Sequence, residues 1–494
     1  MKRVIAIITV LLLIKGAAAP LKGQIQTSTL YFMNLPQNQL LNPALAPTNS
    51  FHLGLPAISG VGFTFNTNLI KLTDIIGNTP GDSVITLLHP DFDQDSFLDK
   101  VGRGTYINPS VGIQTLAVGF RVGNDLYFTL GITDRMDGGI ALPGDIFSLA
   151  LRGNEQFVGS RVDLSDLDAR MAWYREYSAG FSKSFTPQLR LGGRVKFLTG
   201  IAGISADNRN TSISVLNDYS HRLNTDIGIN ISAPVTVVLD GDNNIDDIIF
   251  DESAVEDPGF FFNMGNNGFG IDLGAVYQLN PRIELSAALN GLGYIRWKQD
   301  VTNITANNEF TFSGFDLSTV IDGTKEFDEM AEELLDSLIA SFVISDRNDP
   351  FTTYTPANFS LGASYGLTES ISVGVLTNAL FTGGRVHPSL MLSANANLGS
   401  VFTAGINYTA INRSFNNIGA GFGVRLGPLQ LYTIADRIPL TFNELILPDG
   451  DGASIFLPDN WNTMSLRFGL NLVFGNRIKK RSDAPMLQPT QPLL

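Results

Sequence analysis

Apolar and polar residues alternate along many short stretches of this chain. In the last such stretch, Met464–Phe474, every second residue from Met464 onward is apolar. The intervening positions are Ser465, Arg467, Gly469, Asn471 and Val473. A period of two over this length predicts a β-strand rather than a helix. The stretch is also long enough to cross a bilayer as a tilted strand, and it ends on an aromatic residue.

Fourteen stretches of this kind are predicted strands. They are residues 52–64, 108–121, 125–136, 172–185, 189–200, 268–279, 283–297, 355–366, 370–381, 388–397, 400–411, 416–425, 429–436 and 463–474. This set predicts an all-β fold, a transmembrane antiparallel outer-membrane β-barrel in which lipid-facing and lumen-facing residues alternate.

The links between these strands alternate in length. The short links are 122–124, 186–188, 280–281, 367–369, 398–399 and 427–428. The long links are 65–107, 137–171, 201–267, 298–354, 382–387, 412–415 and 437–462. Bacterial barrels have short periplasmic turns and long external loops, so this alternation predicts an even strand number with both chain ends in the periplasm.

Two long external loops have a character of their own. The link 201–267 holds the strand-like stretches Ile213–Leu216 and Ile227–Val238, which we interpret as hairpins within the loop; if both crossed the membrane, the barrel would have sixteen strands. In the link 298–354, the segment Phe327–Val343 places apolar residues at helical spacing opposite acidic residues and predicts an amphipathic helix. Packing on the outer rim and folding into the lumen as a plug are both open placements for this helix.

The N-terminus has the pattern of a secretion signal. Met1-Lys2-Arg3 precedes the apolar run Val4–Ile14, and the small residues Ala17–Ala19 follow. The predicted domains are a signal peptide (1–23), an N-terminal segment that we call the hatch (24–50), the barrel (51–475) and a flexible C-terminal tail (476–494). The hatch lies either in the periplasm or inside the lumen.

Composition narrows the range of functions. The chain has 33 Lys and Arg residues against 47 Asp and Glu residues, a net charge of −14. Loss of Lys2, Arg3, Lys15 and Lys22 with the signal peptide leaves 29 basic residues against 47 acidic ones, a net charge of −18. Such an acidic chain argues against nucleic acid as a partner. The absence of cysteine excludes a disulfide framework.

Side chains that carry catalysis or bind metals are sparse. The four histidines are His52, His89, His221 and His387, and none stands at metal-ligand spacing to another or beside a nucleophile motif. We therefore assign no catalytic, cofactor-binding or metal-binding residue, infer no cofactor and expect no enzyme activity.

The acidic loop 240–252 is the best candidate for a metal site. Asp240, Asp242, Asn244 and Asp246 alternate carboxyl and amide oxygens as the start of a Ca²⁺ loop does. The same pattern requires glycine at its sixth position and glutamate at its twelfth, where this chain has isoleucine and aspartate. A solvated acidic loop is the simpler interpretation, while Ca²⁺ binding or a divalent bridge to lipopolysaccharide stays open.

A basic face is predicted on one strand. Arg190, Arg194 and Lys196 share the side that we expect to face the lumen. Charged rings set ion selectivity in some pores. The simpler expectation is that these cations pair with inward acids such as Glu284.

Several motifs resemble those of known barrels. They are Asn42-Pro43-Ala44, Trp173–Tyr177, Gly192–Phe197, Leu289–Trp297 and Leu429–Tyr432. In order and spacing they resemble an uncharacterised Bacteroidota family of outer-membrane barrels that is defined only as a domain of unknown function. The Asn-Pro-Ala box also resembles that of FadL-like fatty-acid transporters and of PorV-type and PorP/SprF-type barrels. The FadL likeness implies fourteen strands and an N-terminal segment inside the barrel, but no functional residue is carried over.

Two functions remain in view. One is a porin-like or FadL-like transport channel for small solutes, hydrophobic ones in particular. The other is a non-transporting structural or adaptor barrel of a surface or secretion (type IX-like) complex. Both place the protein in the Gram-negative outer membrane among lipid and lipopolysaccharide. Its further partners would be a small hydrophobic solute in the first case and subunits of the complex in the second.

Overall fold

The computed structural model is a closed antiparallel β-barrel of fourteen strands. It describes residues 28–67, 76–78, 84–87, 89, 91–102, 104–208, 210–239, 245–256, 258–262, 264–312, 343–345, 348–382, 385–399, 401–411, 414–438, 442–446, 454–458 and 463–475. The signal peptide, most of the predicted helix Phe327–Val343 and the tail 476–494 therefore lie outside the described residues. Within that part of the chain, no helix is long and apolar enough to span a membrane.

The barrel strands follow one another in chain order, each paired with its neighbours. The first seven are β1 (Phe51–Gly54 and Val61–Thr67), β2 (Thr105–Val122), β3 (Leu126–Leu142), β4 (Asp168–Ser184), β5 (Leu189–Asn208), β6 (Asn267–Asn280) and β7 (Ile283–Trp297). The other seven are β8 (Phe351–Tyr354 and Ala357–Gly366), β9 (Ile371–Thr382), β10 (Arg385–Leu398), β11 (Phe402–Ile411), β12 (Ser414–Leu426), β13 (Leu429–Ile438) and β14 (Thr463–Phe474). All fourteen correspond to predicted strands.

The closing pair leaves no open edge. Strand β14 pairs with β13 on one side and with both parts of β1 on the other, from Phe51 opposite Phe474 to Phe65 opposite Met464. A closed ladder satisfies backbone groups that lipid could not satisfy. The prediction of an even-stranded closed barrel is confirmed.

The period of two explains which face of each strand meets lipid. On β14, Met464 and Phe468 are 41% and 42% exposed, whereas Ser465 and Gly469, each next in sequence, are buried in the interior. Exposed apolar side chains recur on the outward face of the other strands, while serine, threonine and asparagine dominate the buried inward positions. This is the arrangement of a barrel whose outside contacts hydrocarbon.

The long-loop side carries additional strands that do not enter the barrel wall. His221–Ser232 pairs with the end of β5 and with Val301–Phe312, and Val301–Phe312 also pairs with Val343–Ser345. The loop does contain two hairpins: Ser212–Val215 pairs with the beginning of His221–Ser232, and Val235–Leu239 pairs with Ile245–Phe250. The predicted stretch Ile227–Val238 is divided between these two hairpins. The sixteen-strand alternative is wrong, because the barrel closes without these strands.

The remaining described elements are short. Strands Arg161–Asp163 and Ser212–Val215 pair with each other, as do Ile76–Asn78 with Val84–Thr86 and Phe442–Ile446 with Ser454–Pro458. The α-helices are Gln94–Val101, Gly144–Arg152, Glu252–Glu256 and Pro258–Phe261. Three 3₁₀ helices, Thr29–Phe32, Pro36–Leu40 and Glu155–Phe157, complete the set, and the first two belong to the hatch.

Candidate functional site

The described part of the hatch, residues 28–50, lies inside the barrel rather than below it. Its apolar side chains pack against inward side chains of the wall and form one buried cluster. The members are Leu30, Tyr31, Met33, Leu35 and Leu41 of the hatch with Leu376, Met391, Tyr432 and Ile434 of the wall. Because these groups are almost fully buried, the hatch packs closely against the wall inside the lumen.

The beginning of the hatch is held by one carboxylate of the wall. Asp436 on β13 accepts hydrogen bonds from the Ser28 hydroxyl at 2.5 Å, from the Thr29 amide at 3.0 Å and from the Thr29 hydroxyl at 2.6 Å. The Asn407 amide donates to the same carboxylate at 2.9 Å. Hydrogen bonds to an ionised acceptor are stronger than neutral ones, so this end of the hatch is firmly anchored.

The middle of the hatch is held by an exchange of two amide hydrogen bonds. Gln37 Nε2 donates to Asn471 Oδ1 at 2.7 Å, and Asn471 Nδ2 donates to Gln37 Oε1 at 3.1 Å. Gln37 Nε2 also donates to the Ser59 carbonyl at 3.1 Å. The hatch is thereby joined to the first and the last strand of the barrel at the same place.

The Asn-Pro-Ala box forms the third anchor. The Ala44 amide donates to Asn42 Oδ1 at 2.9 Å, and Asn42 Nδ2 donates to the Tyr31 hydroxyl at 3.1 Å. The Tyr31 hydroxyl in turn donates to Ser286 at 2.9 Å. Burial raises the pKa of the Tyr31 phenol, so the group stays neutral and available as a donor. The Asn290 amide completes the anchor by donating to the Leu41 carbonyl at 2.6 Å.

Glycines in the wall make room for this box. A Cβ atom on Gly274 would lie 2.1 Å from Asn42 Oδ1, and one on Gly192 would lie 2.3 Å from the Pro43 carbonyl carbon. Any side chain at either position would therefore collide with the hatch. The sequence shows both the box and the glycines, but nothing local in the sequence says that they meet.

The predicted basic face points into the lumen and pairs with acids there. Arg194 lies 3.0 Å from Asp272, and Lys196 lies 2.8 Å from Asp272 and 3.4 Å from Glu176. Arg135 lies 3.3 Å from Glu176. The expected partner Glu284 was wrong for Arg194 and Lys196, because Asp272 on the adjacent strand β6 is directly opposite Arg194. Arg194 also donates to the Gln39 carbonyl, which ties this cluster to the hatch.

The barrel wall is interrupted beside Gln37. Residues 55–60 leave the regular pairing with β2 and β14, although backbone hydrogen bonds still join Leu55 and Ile58 to Leu470 of β14 and Gly60 to Gln114 of β2. Ser59 turns inward and accepts from the Tyr432 hydroxyl at 3.0 Å as well as from Gln37, while Pro56, Ala57 and Ile58 are exposed on the outer surface. Ala57 has a φ of 62°, a conformation that costs energy for a residue with a side chain.

The neighbouring strand is irregular at the same level. The register of β2 with β3 shifts between Gln114 and Leu116, which is a β-bulge. Gln114 donates its amide to the Gly60 carbonyl at 2.8 Å and accepts from the Ser59 hydroxyl at 2.8 Å. Two adjacent strands thus depart from the ladder where the hatch touches the wall.

Cavities lie on both sides of the hatch. On the short-turn side, a cavity of about 760 Å³ is bounded by the hatch and by the turns that join the strands. Its lining includes Phe32, Asn38, Arg121, Arg190 and Glu284. On the long-loop side, a cavity of about 40 Å³ lies between Leu40 of the hatch and the charged cluster around Arg135. The hatch therefore separates two spaces within one lumen.

The other candidate residues do not converge on one site. His52 Nδ1 lies 2.7 Å from the Tyr127 hydroxyl inside the barrel, His221 stacks on Phe312, and His387 packs edge-on to Tyr106. Among the described residues, no group of three potential metal ligands is found. Residues 240–244 of the acidic loop lie outside the described residues, while Asp251 accepts from the Ser253 amide at the start of a short helix.

Comparisons with known proteins found one matching family and several similar solved structures. The family of unknown function DUF5723 matches residues 43–436. No curated protein matches the chain.

The similar solved structures are barrels. A mutant of the TodX monoaromatic hydrocarbon channel is 11% identical over 93% of this chain and 99% of its own, with a TM-score of 0.42. The Pseudomonas putida toluene transporter TodX is 12% identical over 93% and 96%, with a TM-score of 0.35. The translocator domain of the autotransporter NalP from Neisseria meningitidis is 9% identical over 88% and 93%, with a TM-score of 0.33.

Proposed function

The chain belongs to the DUF5723 family of unknown function, and we propose that it is an outer-membrane channel for small hydrophobic solutes in which the hatch is the gate. The observation that carries this proposal is the way the hatch is held. It packs inside the lumen, and side-chain hydrogen bonds at Asp436, Asn471 and Asn290 attach it to the wall. Such contacts break one at a time without opening the ladder of the barrel.

The polarity of the contact surface supports a hydrophobic solute. A solute that passes the hatch meets the surfaces that the hatch covers, which are Leu376, Met391 and Ile434 on the wall. On the hatch side it meets Leu30 and Met33. An apolar solute replaces one apolar contact by another, whereas a sugar or an ion loses its hydration there without compensation.

The interrupted wall supports the idea of a movable hatch. Because Ser59 takes hydrogen bonds from Gln37 and Tyr432, the segment 55–60 changes its surroundings whenever Gln37 moves away. A wall segment that keeps only a few backbone hydrogen bonds to its neighbours accommodates such a change at lower cost than a regular strand does. The segment 55–60 and the hatch would therefore move together.

A solute-uptake assay tests this proposal. Liposomes with lipopolysaccharide in the outer leaflet, which slows passive diffusion of apolar solutes, are compared with and without the purified protein. We expect faster uptake of small apolar solutes, and still faster uptake after deletion of residues 24–50. No uptake above protein-free liposomes from either protein would overturn the proposal. It would favour the adaptor function, for which the outer sheet of His221–Ser232 and Val301–Phe312 offers a docking surface.

A further inference from the structure

A row of aromatic side chains runs along the outside of the barrel near its long-loop end. The strand register places its members side by side on β4 to β8: Tyr177, Phe197, Phe269, Tyr294 and Tyr354. The ring centroids of Phe197 and Phe269 are 5.5 Å apart, and those of Tyr177 and Phe197 are 6.4 Å apart. Phe269, Tyr294 and Tyr354 are 57%, 42% and 41% exposed. Aromatic rows of this kind mark the level at which hydrocarbon gives way to lipid head groups.

The rows on either side of the aromatic row differ in polarity. One step toward the short turns, the outward positions of β4 to β7 are all apolar: Ala179, Val195, Ile271 and Leu292. One step toward the long loops, the paired positions of β4 to β8 are all polar: Arg175, Thr199, Asn267, Arg296 and Thr352. The head-group layer of the outer leaflet therefore begins at this polar row.

The two arginines of the polar row have different surroundings. Arg175 Nε lies 2.7 Å from Asp134 on β3, and Arg175 Nη1 donates to the Phe261 carbonyl at 3.3 Å. Arg296 is exposed, and its side chain forms no ion pair or hydrogen bond with any residue that the structure describes. Of the two, Arg296 therefore keeps its donors for a partner outside the chain.

A second cation stands next to Arg296. Lys298 lies just beyond the end of β7, two positions further on, which is about 7 Å along an extended chain. It is exposed, and its ammonium group pairs with no acid among the described residues. The next acid of the chain, Asp300, is exposed as well and forms no ion pair with either cation. In a chain with a net charge of −14, two such cations at the head-group level indicate an anionic partner.

The position of these cations decides which anion fits. They follow the aromatic row on the lipid-facing side, so an anion bound to them lies beside Tyr294 and Phe269, with Leu292 one step deeper in the hydrocarbon. Inorganic phosphate would use the cations alone. A lipid with a phosphorylated head group would use both the cations and the apolar face below them.

We propose that Arg296 and Lys298 bind the phosphate of an acylated glycolipid of the outer leaflet, of the lipid A class, whose acyl chains lie along Tyr294, Phe269 and Leu292. A guanidinium donates two parallel hydrogen bonds to a phosphate, and an ammonium group adds a point charge. Strand Val301–Phe312 begins three residues after Lys298, so the bound lipid lies at the base of the outer sheet. The site is outside the lumen and does not depend on the proposed channel.

Native mass spectrometry of the full-length protein in a non-ionic detergent counts bound lipids directly. The probes are diphosphoryl lipid A, the same lipid without its phosphates, the same lipid without its acyl chains, and inorganic phosphate. We expect saturable binding of lipid A that is at least tenfold tighter than that of the other three probes. Replacing both cations, Arg296→Gln with Lys298→Gln, should weaken lipid A binding at least tenfold.

A matched control separates the site from a general effect of charge. Lys183→Gln with Arg282→Gln also removes one exposed lysine and one exposed arginine, but at the short-turn end of the barrel. This control should bind lipid A as the wild type does. Because all four residues are exposed, both double variants are expected to fold, and the heat-induced gel shift of the barrel verifies it.

Several results would overturn the site. Equal lipid A affinity of the wild type and the variant without Arg296 and Lys298 removes these residues from it. Binding of the lipid without phosphates as tightly as lipid A shows that the phosphate is not recognised, and equally tight binding of inorganic phosphate or of the deacylated glycan excludes the acyl chains. If the double variant fails to fold, Arg296→Gln alone is titrated, and unchanged affinity again rejects the site.

The lipid site and the channel fail separately. A protein that takes up apolar solutes but binds lipid A equally well with and without the two cations refutes the site and keeps the channel. A protein that binds lipid A through them but takes up no solute in liposomes refutes the channel and keeps the site.

Discussion

Gln37 of the hatch and Asn471 of the closing strand exchange two side-chain hydrogen bonds, of 2.7 and 3.1 Å. The two residues are 434 positions apart in the sequence. Their contact joins the gate to the strand that closes the barrel, next to the interrupted segment 55–60. We therefore expect this pair, more than the strand pairing of the barrel, to determine how firmly the hatch is held in the lumen.

Replacing Gln37 by alanine should loosen the hatch and leave the barrel intact. The change leaves the buried Asn471 Oδ1 atom without its donor, and an unsatisfied buried polar group costs about 1–3 kcal/mol. Hydrogen exchange should rise in residues 28–50, while the heat-induced gel shift of the folded barrel stays where it is. Unchanged exchange in these residues would show that the pair does not hold the hatch.

Replacing Gly274 by alanine should displace the Asn-Pro-Ala box. The new Cβ atom would lie 2.1 Å from Asn42 Oδ1, a distance that forces the hatch to move. Solute uptake in liposomes should therefore increase over that of the wild type. Gly228→Ala is the matched control, since the nearest atom to its Cβ would be 4.0 Å away. The glycine–hatch contact is refuted if the two variants behave alike.

Replacing Asp272 by asparagine should destabilise the barrel. It leaves Arg194 and Lys196 buried without their shared acid, and breaking a buried pair in this way costs about 3–5 kcal/mol. Denaturant unfolding in detergent measures the loss. The control is Glu309→Gln in the exposed pair Arg222–Glu309 of the outer sheet, where a change within about 1 kcal/mol is expected. Comparable losses in the two variants would contradict the structural role of the luminal cluster.

Replacing Leu472 and Phe474 by aspartate should abolish assembly of the barrel. Both residues lie on the outward face of β14, opposite Leu53 and Phe51 of β1, and charges there would face hydrocarbon at the closing pair. Deletion of residues 476–494 should leave assembly intact. Protease protection and the heat-induced gel shift of outer-membrane fractions distinguish the two outcomes. Normal assembly of the aspartate variant would show that closure does not depend on this pair.

The strands were predictable because lipid imposes a local pattern. Each outward position in hydrocarbon must be apolar, so alternation alone located strands such as Met464–Phe474. Val301–Phe312 was not predicted as a strand because this requirement does not apply to it. It lies in the outer sheet rather than in the wall, and its sequence therefore needs no continuous apolar face.

The site was less predictable because its contacts are long-range. The Asn-Pro-Ala box and the basic face were visible in the sequence, but their partners Gly274 and Asp272 lie on a strand that only the fold brings near.

A reversible lock on the hatch tests the central claim most directly. The chain has no cysteine, so Gln37→Cys with Asn471→Cys introduces one defined pair between hatch and wall. The control pair is Asn34→Cys with Thr48→Cys, which joins two hatch residues whose side chains are hydrogen-bonded at 3.0 Å and leaves the wall untouched.

Solute uptake is measured in liposomes with each variant oxidised and then reduced. We expect oxidation to stop uptake through the first variant, reduction to restore it, and the control to transport in both states. Equal uptake by the oxidised and reduced forms of the first variant, with the disulfide verified by mass spectrometry, would contradict a gating hatch.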